Sequence, residues 1–398
     1  MRRHGMLNLA ATAAASVLLA LAATPARAEI QGPEIKIGVI YTVEGAWGSY
    51  GVKSFRGVRY AADDLNAKGG IEGVKIKLVE YDNHNSPTDL PNIVQRLATV
   101  DQVLAIIGPN TSGEAEIVFP FCNKLEIPVL GTSVAKGGIL DHNRPWAFRN
   151  VMPDDKNTAP VIAEVVKQKN IKKVAVIMDV KDAISKYMGT VFWPGLFDKL
   201  GVDNLTKNDA VTFQSGDPSV TAQVTKIKSM NPDAIVLAAS PGDAAKVAIE
   251  IRRQGMNQQL LGAGGLFGDE FLKTGGKAVE GAITAAQFWR DNPDPKVQAL
   301  VASFEKRSGT AIVLHEAYGY DAVLTIAAAA AKGRVTNRPD DLAKDRERVR
   351  NALDGIQIDG ISGHHSLDPK TGEVDRPTMK ATITDGKWVL VPVHASGS

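Results

Sequence analysis

The sequence predicts an α/β protein of two similar lobes, each built on a doubly wound parallel sheet. Short apolar runs, typical of strands covered on both faces, alternate with helical segments along almost the whole chain. About 370 residues follow a predicted leader, more than one hydrophobic core usually holds, which favours two domains. Residues 36–41 (KIGVIY) and 173–178 (KVAVIM) each open a comparable series of strands and helices. This coarse duplication predicts two lobes whose strand ends face one cleft.

The first predicted series contains three buried strands, one alternating strand and three helices. Gly69 and Gly70 suit the left-handed geometry that ends the first helix, and residues 82–87 form a polar turn. Residues 144–153 look irregular, and we interpret them as the first crossing between lobes. The predicted strands are 35–40, 74–81, 104–107 and 128–131, and the predicted helices are 52–68, 90–99 and 113–125.

The second predicted series repeats the alternation and ends in a hairpin. Asp385-Gly386 is a typical hairpin turn between strands at 380–384 and 388–391, and residues 361–375 are predicted to be a loop. The other predicted strands are 174–178, 209–213, 234–238, 259–262 and 282–286. The predicted helices are 158–169, 183–200 (interrupted near Pro194), 220–230, 244–254, 270–274, 295–307, 314–331 and 340–353.

The first 28 residues have the three regions of a secretory signal peptide. A basic start at 2–4 precedes an apolar segment at 7–23 and an Ala-x-Ala cleavage site that ends at Ala28. A membrane anchor is the alternative, but Pro25 and Arg27 interrupt the apolar run, and no Cys stands at the cleavage point to carry a lipid. We therefore expect cleavage after Ala28 and a periplasmic mature protein.

Composition excludes several classes of function. Without the leader, 43 Lys and Arg stand against 44 Asp and Glu, so the charge balance does not favour a nucleic-acid partner. Cys122 is the single cysteine of the sequence, so an internal disulfide is impossible. Its neighbours Phe119, Phe121 and Leu125 indicate a buried structural thiol and not a catalytic one.

Residues 104–133 form the strand–helix–strand unit on which the functional interpretation depends. Gly108-Pro109-Asn110 predicts a turn after the first strand, and Thr111 or Ser112 is expected to cap the helix. Ligands collect at the carboxyl ends of parallel strands, where helix N-termini offer free N–H groups. Asn110, Thr111, Ser112 and Ser133 are therefore candidates to face one crevice.

Motifs of enzymes and cofactors are mostly missing from the sequence. The Gly-rich residues 262–268 lack dinucleotide-binding spacing, and the sequence contains neither a phosphate-binding loop nor a nucleophile elbow. His315-Glu316 has no second His four residues later, and surface exposure is the favoured interpretation of His364-His365 over metal binding. We expect no cofactor, no metal and no catalytic residues; a catalytic set assembled from distant loops is the alternative.

Several motifs together carry a family resemblance over residues 34–393. They are KIGV at 36–39, Gly51 with FRG at 55–57, DLNAKGGI at 64–71, Asp82, IGPNTS at 107–112, IPV at 127–129, FR at 148–149 and GYDA at 319–322. The sequence resembles the periplasmic solute-binding proteins of the branched-chain amino acid type, receptors of ABC importers. The resemblance implies the type I periplasmic-binding fold, with three hinge crossings near residues 151, 284 and 376. Lobe 1 would comprise 29–151 plus 285–375, and lobe 2 would comprise 152–284 plus 376–398.

The resemblance also implies positions for the ligand-binding residues. A Ser after a strand holds the ligand carboxylate in the family, which matches Ser112, and groups after the next strand match Ser133 and Ala135. Val134, between these two, is a further candidate. The aromatic residue of the first loop matches Tyr50, and Trp47 lies in the same loop. Further candidates are Asp182, Ser240, Gly264 and Tyr318.

The sequence departs from the family pattern at the expected amine site. Amino-acid binders of the family carry a Glu where this chain has Gly264, and Tyr where it has Ala183 and Ser240; the usual family disulfide is also missing. These departures lead to the hypothesis that carboxylates without an α-amino group, such as phenylpropanoids or benzoates, bind better than amino acids. Asp182 and Asp269 are the candidate substitute acids.

The sequence therefore predicts a monomeric receptor that delivers a small carboxylate-bearing solute to an ABC permease and its ATPase in the inner membrane. Branched-chain or hydrophobic amino acids and aromatic or hydrophobic organic acids are the candidate ligands. The alternatives are a ligand-sensing module for a membrane signalling partner and a secreted enzyme that uses the same cleft.

Overall fold

The computed structural model of the chain describes residues 30–393. The signal peptide predicted at residues 1–28 lies outside the described residues. Within the described range, every helix is too short or too polar to span a bilayer.

The first sheet has five parallel strands in the order β2-β1-β3-β4-β5. Apolar residues along its strands face alternate sides: Ile37 and Val39 pack in one core, whereas Ile40 and Ile106 pack in another. Both faces are therefore covered, as the apolar runs predicted. The strands are β1 (Glu34–Tyr41), β2 (Lys75–Asp82), β3 (Ala105–Ile107), β4 (Val129–Gly131) and β5 (Ala147–Arg149), and the intervening helices are α1 (Gly48–Ala67), α2 (Leu90–Thr99) and α3 (Ser112–Lys124).

The second sheet repeats this order. Around β6, the strands β7 and β8 lie on one side and β9, β10 and β11 follow on the other, all parallel. The strands are β6 (Lys173–Asp179), β7 (Asp203–Asn204), β8 (Val211–Phe213), β9 (Ala234–Ala238), β10 (Gln259–Gly262) and β11 (Ile283–Ala286). The helices are α4 (Asp154–Lys169), α5 (Ala183–Tyr187), α6 (Trp193–Leu200), α7 (Thr221–Met230), α8 (Pro241–Arg253) and α9 (Asp269–Gly275).

The remaining elements complete both halves. The chain returns to the first sheet with three helices, of which α11 packs on α1: a Cβ placed on Gly57 would lie 2.1 Å from the Glu316 carbonyl oxygen. It then adds an antiparallel hairpin to the edge of the second sheet at β11. The elements are α10 (Pro295–Ser308), α11 (Leu314–Gly333), α12 (Leu342–Leu353), β12 (Gln357–Gly360), β13 (Gly363–Leu367), β14 (Val374–Asp375), β15 (Met379–Thr384) and β16 (Lys387–Pro392).

The predicted fold class is confirmed. Both sheets have the 2-1-3-4-5 order of doubly wound α/β folds. The chain passes between the sheets after β5, after β11 and before β15, which makes three crossings. The duplication inferred from residues 36–41 and 173–178 corresponds to β1 and β6, the central strands of the two sheets.

Several local predictions were wrong. Residues 147–149 form β5 and not an irregular segment, and residues 363–367 and 374–375 form strands of a third, antiparallel sheet with β12. These strands are short and largely polar, so their pairing comes from backbone hydrogen bonds and leaves little apolar pattern in the sequence. Strand alternation also separates the two rings at 364–365: His364 is exposed on β13, and His365 is buried.

The helix predicted at 183–200 is interrupted, as expected. Its middle, Met188–Phe192, is a π-helical turn, and α6 begins directly afterwards. Pro194 directly follows this turn, in the first turn of α6, where proline is tolerated.

Candidate functional site

A cavity lies between the carboxyl ends of the two sheets. Its volume is about 90 Å³, several times the roughly 10–15 Å³ that one water needs. Its lining comes from the segments that follow β1, β3, β4 and β5 of the first sheet and β6, β9, β10 and β11 of the second, and from the start of α11. The predicted site residues that line it are Trp47, Tyr50, Asn110, Thr111, Ser112, Ser133, Ala135, Gly264 and Tyr318.

One end of the cavity presents hydrogen-bond donors at the start of α3. Thr111 is the N-cap, because its Oγ1 accepts the N–H of Glu114 at 3.2 Å. Ser112 follows in the first turn, and its Oγ accepts the N–H of Lys136 at 3.2 Å. That bond uses a lone pair and leaves the hydroxyl hydrogen of Ser112 available. A carboxylate is the complement of such a hydroxyl beside a helix N-terminus.

Asn110 adds a second donor. Its Oδ1 accepts the N–H of Thr42 at 3.1 Å, which fixes the orientation of the amide. Its Nδ2 is buried and has no hydrogen-bond partner among residues 30–393. Because an unpaired buried donor is costly, this amide group is suited to a ligand oxygen.

A neutral histidine stands beside the donor end. His315, at the start of α11, shares a hydrogen bond of 2.9 Å between Nδ1 and Ser133 Oγ, and its ring stacks on Tyr50 at a centroid distance of 3.6 Å. Burial, with the nearby charge of Lys53, lowers the pKa of His315 to about 3. Its Nε2 is buried without a partner in the described part of the chain. The neutral ring therefore offers one polar atom to the site.

The aromatic loop after β1 bridges the two halves. Trp47 Nε1 donates to Asp182 Oδ1 at 3.0 Å, and the Tyr50 hydroxyl donates to the Gly265 carbonyl at 2.9 Å. Ser49 Oγ donates to Glu270 Oε2 at 2.8 Å. These three bonds join segments that follow β1 to segments of the second sheet, so the two halves are in contact across the cleft.

Three predicted site residues lie outside the cavity lining formed by the described residues. Val134 is fully buried in the core around α3. Asp182 caps α5 by accepting the N–H of Ser185 at 2.8 Å, and it also accepts from Trp47. Ser240 lies at the start of α8, directly after β9, and its Oγ donates to Asp243 Oδ2 at 3.1 Å.

The far wall of the cavity is apolar. Met188 and Trp193 reach it from the π-helical turn and α6, and Leu237 and Ala238 reach it from the end of β9. A ligand that fills the cavity therefore places an apolar group against this wall, since burial of apolar surface is favourable.

Asp154, Asn157 and His315 line the cavity and were not among the predicted site residues. Asp154 and Asn157 belong to the first turn of α4, immediately after the first crossing. Their position beside the crossing is the sequence feature that could have identified them as residues of the cavity. Burial raises the pKa of Asp154 to about 7, although Thr158, the backbone N–H of Gly264 and the Arg149 charge act in the opposite direction. In the sequence, His315 stands out only as part of an incomplete zinc motif.

The comparisons with known proteins agree with this architecture. A family model described as periplasmic binding protein matches residues 34–387. The chain belongs to this family. It is 27% identical to the Leu/Ile/Val-binding protein BraC3 of Rhizobium johnstonii over 340 residues, which are 85% of this chain and 88% of that protein.

Two solved structures have the same fold. The leucine binding protein LivK from Thermotoga maritima has a TM-score of 0.80 at 23% identity, over 91% of this chain and 99% of that chain. An ABC transporter solute binding protein from Rhodopseudomonas palustris, in complex with 3,4-dihydroxy benzoic acid, has a TM-score of 0.77 at 19% identity, over 91% and 96% of the two chains. At these identities the likeness establishes the fold.

Proposed function

We propose that the chain is the substrate-binding component of an ABC importer and captures a small carboxylate-bearing solute in the cleft. The observation that carries the proposal is the donor set at the start of α3, where Ser112 and Asn110 line the cavity, the Ser112 hydroxyl hydrogen is available, and Asn110 Nδ2 has no partner among the described residues. The apolar wall at Met188 and Trp193 supports a hydrophobic amino acid or an aromatic organic acid as ligand. The chain acts as a receptor and not as an enzyme.

The same proposal includes the location of the protein in the cell, its partners and the bounds of its lobes. The mature protein, freed of residues 1–28, works as a monomer in the periplasm and hands its ligand to a permease and ATPase in the inner membrane. Lobe 1 comprises 29–151 plus 285–375, and lobe 2 comprises 152–284 plus 376–398. The distribution of strands between the two sheets supports the bounds at 151 and 375, since β5 and β6, and likewise β14 and β15, fall on opposite sides of them. The bound at 284 cuts β11, whose four residues all belong to the second sheet, so the strands favour a crossing just after Ala286.

A thermal-shift screen of the mature protein against amino acids, aromatic acids, amides and urea tests the proposal. A ligand present at one hundred times its Kd stabilises the folded state by about 2.7 kcal/mol. We expect carboxylates to raise the Tm and the matching amides to leave it unchanged. Stabilisation by the amides alone would refute a carboxylate receptor.

Ser112→Ala is expected to weaken carboxylate binding by about ten- to a hundredfold. The substitution removes one charge-assisted hydrogen bond, which contributes roughly 1.5–3 kcal/mol. Thr111 and not Ser112 caps α3, so the helix keeps its cap, but the variant loses the hydrogen bond from the N–H of Lys136, and the free energy of unfolding should fall by about 0.5–1.5 kcal/mol. Isothermal titration calorimetry on the folded variant measures the affinity.

Ser240→Ala is the matched control for that variant. Ser240 is buried and lies outside the cavity lining of the described residues, so its substitution should leave the affinity unchanged. Equal losses in the two variants would contradict a specific role for Ser112.

A further inference from the structure

A buried hydrogen-bond donor stands in the apolar wall of the cavity. Trp193 lines the cavity, and its side chain is inaccessible to solvent. Its Nε1 is buried and has no hydrogen-bond partner among residues 30–393. A buried Trp N–H usually has a partner, because burial of an unpaired donor is costly. The indole of Trp193 is therefore a donor that the described residues leave unused.

Two other indoles of the chain have protein acceptors. Trp47 Nε1 donates to Asp182 Oδ1, and Trp388 Nε1 donates to the Gly268 carbonyl at 3.1 Å. Trp193 differs from both, and it differs at a position in the cavity wall. This contrast points to an acceptor that arrives with the ligand.

The rings packed on Trp193 carry no oxygen or nitrogen acceptor. The Phe197 ring stacks on the indole at a centroid distance of 5.6 Å, and the Phe192 ring lies 5.0 Å away at an angle of 68°. Asn157 Oδ1 is the other buried unpaired atom among the described residues that line the cavity from the second half, and no hydrogen bond joins it to Trp193. A molecule in the cavity is the remaining source of an oxygen for this N–H.

The backbone before Trp193 sets the position of its ring. The backbone N–H of Trp193 donates to the Met188 carbonyl, which is the five-residue spacing of a π-helix. Residues five apart in an α-helix point about 140° away from each other, whereas the wider π-helical turn brings them to one side. Met188 and Trp193 accordingly both line the cavity. The π-helical turn thus places the indole in the wall, and such turns are frequent at functional sites.

The donor end of the cavity and the Trp193 wall belong to different halves of the molecule. Asn110 and Ser112 follow β3 of the first sheet, and Trp193 begins α6 beside the second. All three residues line the same cavity. Of the buried side-chain donors that the described residues of the second half contribute to this lining, Trp193 Nε1 is the unpaired one. A ligand whose carboxylate lies at Ser112 therefore meets this donor with its other end.

We propose that Trp193 Nε1 determines specificity at the end of the ligand remote from the carboxylate, an inference that rests on the carboxylate-receptor function proposed above. The preferred ligand is a small acid whose remote end carries an oxygen acceptor, such as a hydroxyl, ether or keto group. This ligand is apolar in its middle and polar at both ends. A hydrocarbon end of the same size would bury the indole N–H unpaired. A site built to hydrogen-bond a ligand oxygen rejects analogues that lack it.

Calorimetric titrations of the mature protein with matched pairs of acids test the proposal. Each pair replaces the remote oxygen by a methyl group, which has a similar size but accepts no hydrogen bond. The pairs are 4-hydroxybenzoate with 4-methylbenzoate, 3-(4-hydroxyphenyl)propanoate with 3-(4-methylphenyl)propanoate, and 4-oxopentanoate with 4-methylpentanoate, so that the length and shape of the ligand also vary. In the pair that binds most tightly, we expect the oxygen-bearing acid to bind at least about tenfold tighter.

Trp193→Phe and Trp388→Phe form a matched pair of variants. The first keeps an aromatic ring in the wall but removes the N–H, so the two acids of a pair should bind within about twofold of each other. The second removes an N–H that is already paired with Gly268 and lies outside the cavity lining of the described residues, so it should keep the preference of the unaltered protein. Because the two acids are similar in size, their affinity ratio is insensitive to a change in cavity volume.

The indole signals in nuclear magnetic resonance spectra of ¹⁵N-labelled protein give a second readout, which needs no folded Trp193 variant. The sequence has five Trp residues, and Trp47 and Trp193 are those that line the cavity in the described part of the chain. Trp47→Phe identifies the signal of Trp47, so the other ligand-dependent indole signal belongs to Trp193. We expect the oxygen-bearing acid to move this proton signal downfield and the methyl-bearing acid to leave it in place.

Three results would overturn the role of Trp193 and leave the receptor function standing. They are equal affinities for the two acids of the tightest-binding pair, an indole signal that responds identically to both acids, and an unchanged preference in Trp193→Phe. If no carboxylate of these pairs or of the thermal-shift screen binds, both proposals fall.

Discussion

Replacing Glu373 by Gln is expected to lower the free energy of unfolding by about 3–5 kcal/mol. Glu373 and Arg149 form two hydrogen bonds of 2.5 Å, and Arg149 is fully buried. The Gln variant leaves the guanidinium charge in a buried site without its counter-ion, which is far costlier than losing an exposed pair. Arg149 also holds the loop after β4 in place, since its Nη1 donates to the carbonyls of Val134 at 2.9 Å and Lys136 at 2.7 Å.

Asp198→Asn is the control for that substitution. Asp198 pairs with Lys207 at 2.7 Å, but their side chains are 56% and 45% exposed. The same chemical change should therefore cost less than about 1 kcal/mol in urea unfolding. A Glu373→Gln variant no less stable than Asp198→Asn would show that burial of the Arg149 pair does not matter.

Gly57→Ala is expected to destabilise the protein by about 3 kcal/mol, at the upper end of the usual cost of overpacking. The added Cβ would lie 2.1 Å from the Glu316 carbonyl oxygen, at the close approach of α1 and α11. These two helices also carry Tyr50 and His315, whose rings stack in the cavity wall. Separation of the helices should therefore weaken ligand binding as well as lower the urea midpoint.

Gly195→Ala is the control for Gly57→Ala, and we expect it to cause no loss of stability. Gly195 lies in α6, and a Cβ placed there meets no atom of the described residues within 4 Å. Ala is the better helix former by up to about 1 kcal/mol, so this variant should be as stable as the natural protein or more so. Equal losses at Gly57 and Gly195 would refute close helix packing as the cause.

The donor end of the site was predictable because parallel sheets place their strand ends together. Asn110 and Ser112 follow β3 within a few residues, and Ser133 follows β4, so local sequence order already brought them to one edge. The two-sheet fold was predictable for a related reason, since buried strands such as Ala234–Ala238 are continuous apolar runs.

The side of the cavity that Asp154 and Asn157 line depends on contacts between distant segments. Asp154 and Asn157 face the cavity only because α4 packs beside Gly264, more than 100 residues later in the chain. His315 meets Ser133 across 182 residues. No local pattern specifies such contacts, because the same helical periodicity suits several orientations of one lobe against the other.

The central claim is that a carboxylate lies at the start of α3 inside the cleft. A crystal structure of the protein with its tightest-binding carboxylate tests this most directly. We expect a carboxylate oxygen within about 2.5–3.0 Å of Ser112 Oγ, with the apolar part of the ligand against Met188 and Trp193. A ligand outside the cavity, or one whose carboxylate faces that apolar wall, would contradict the claim.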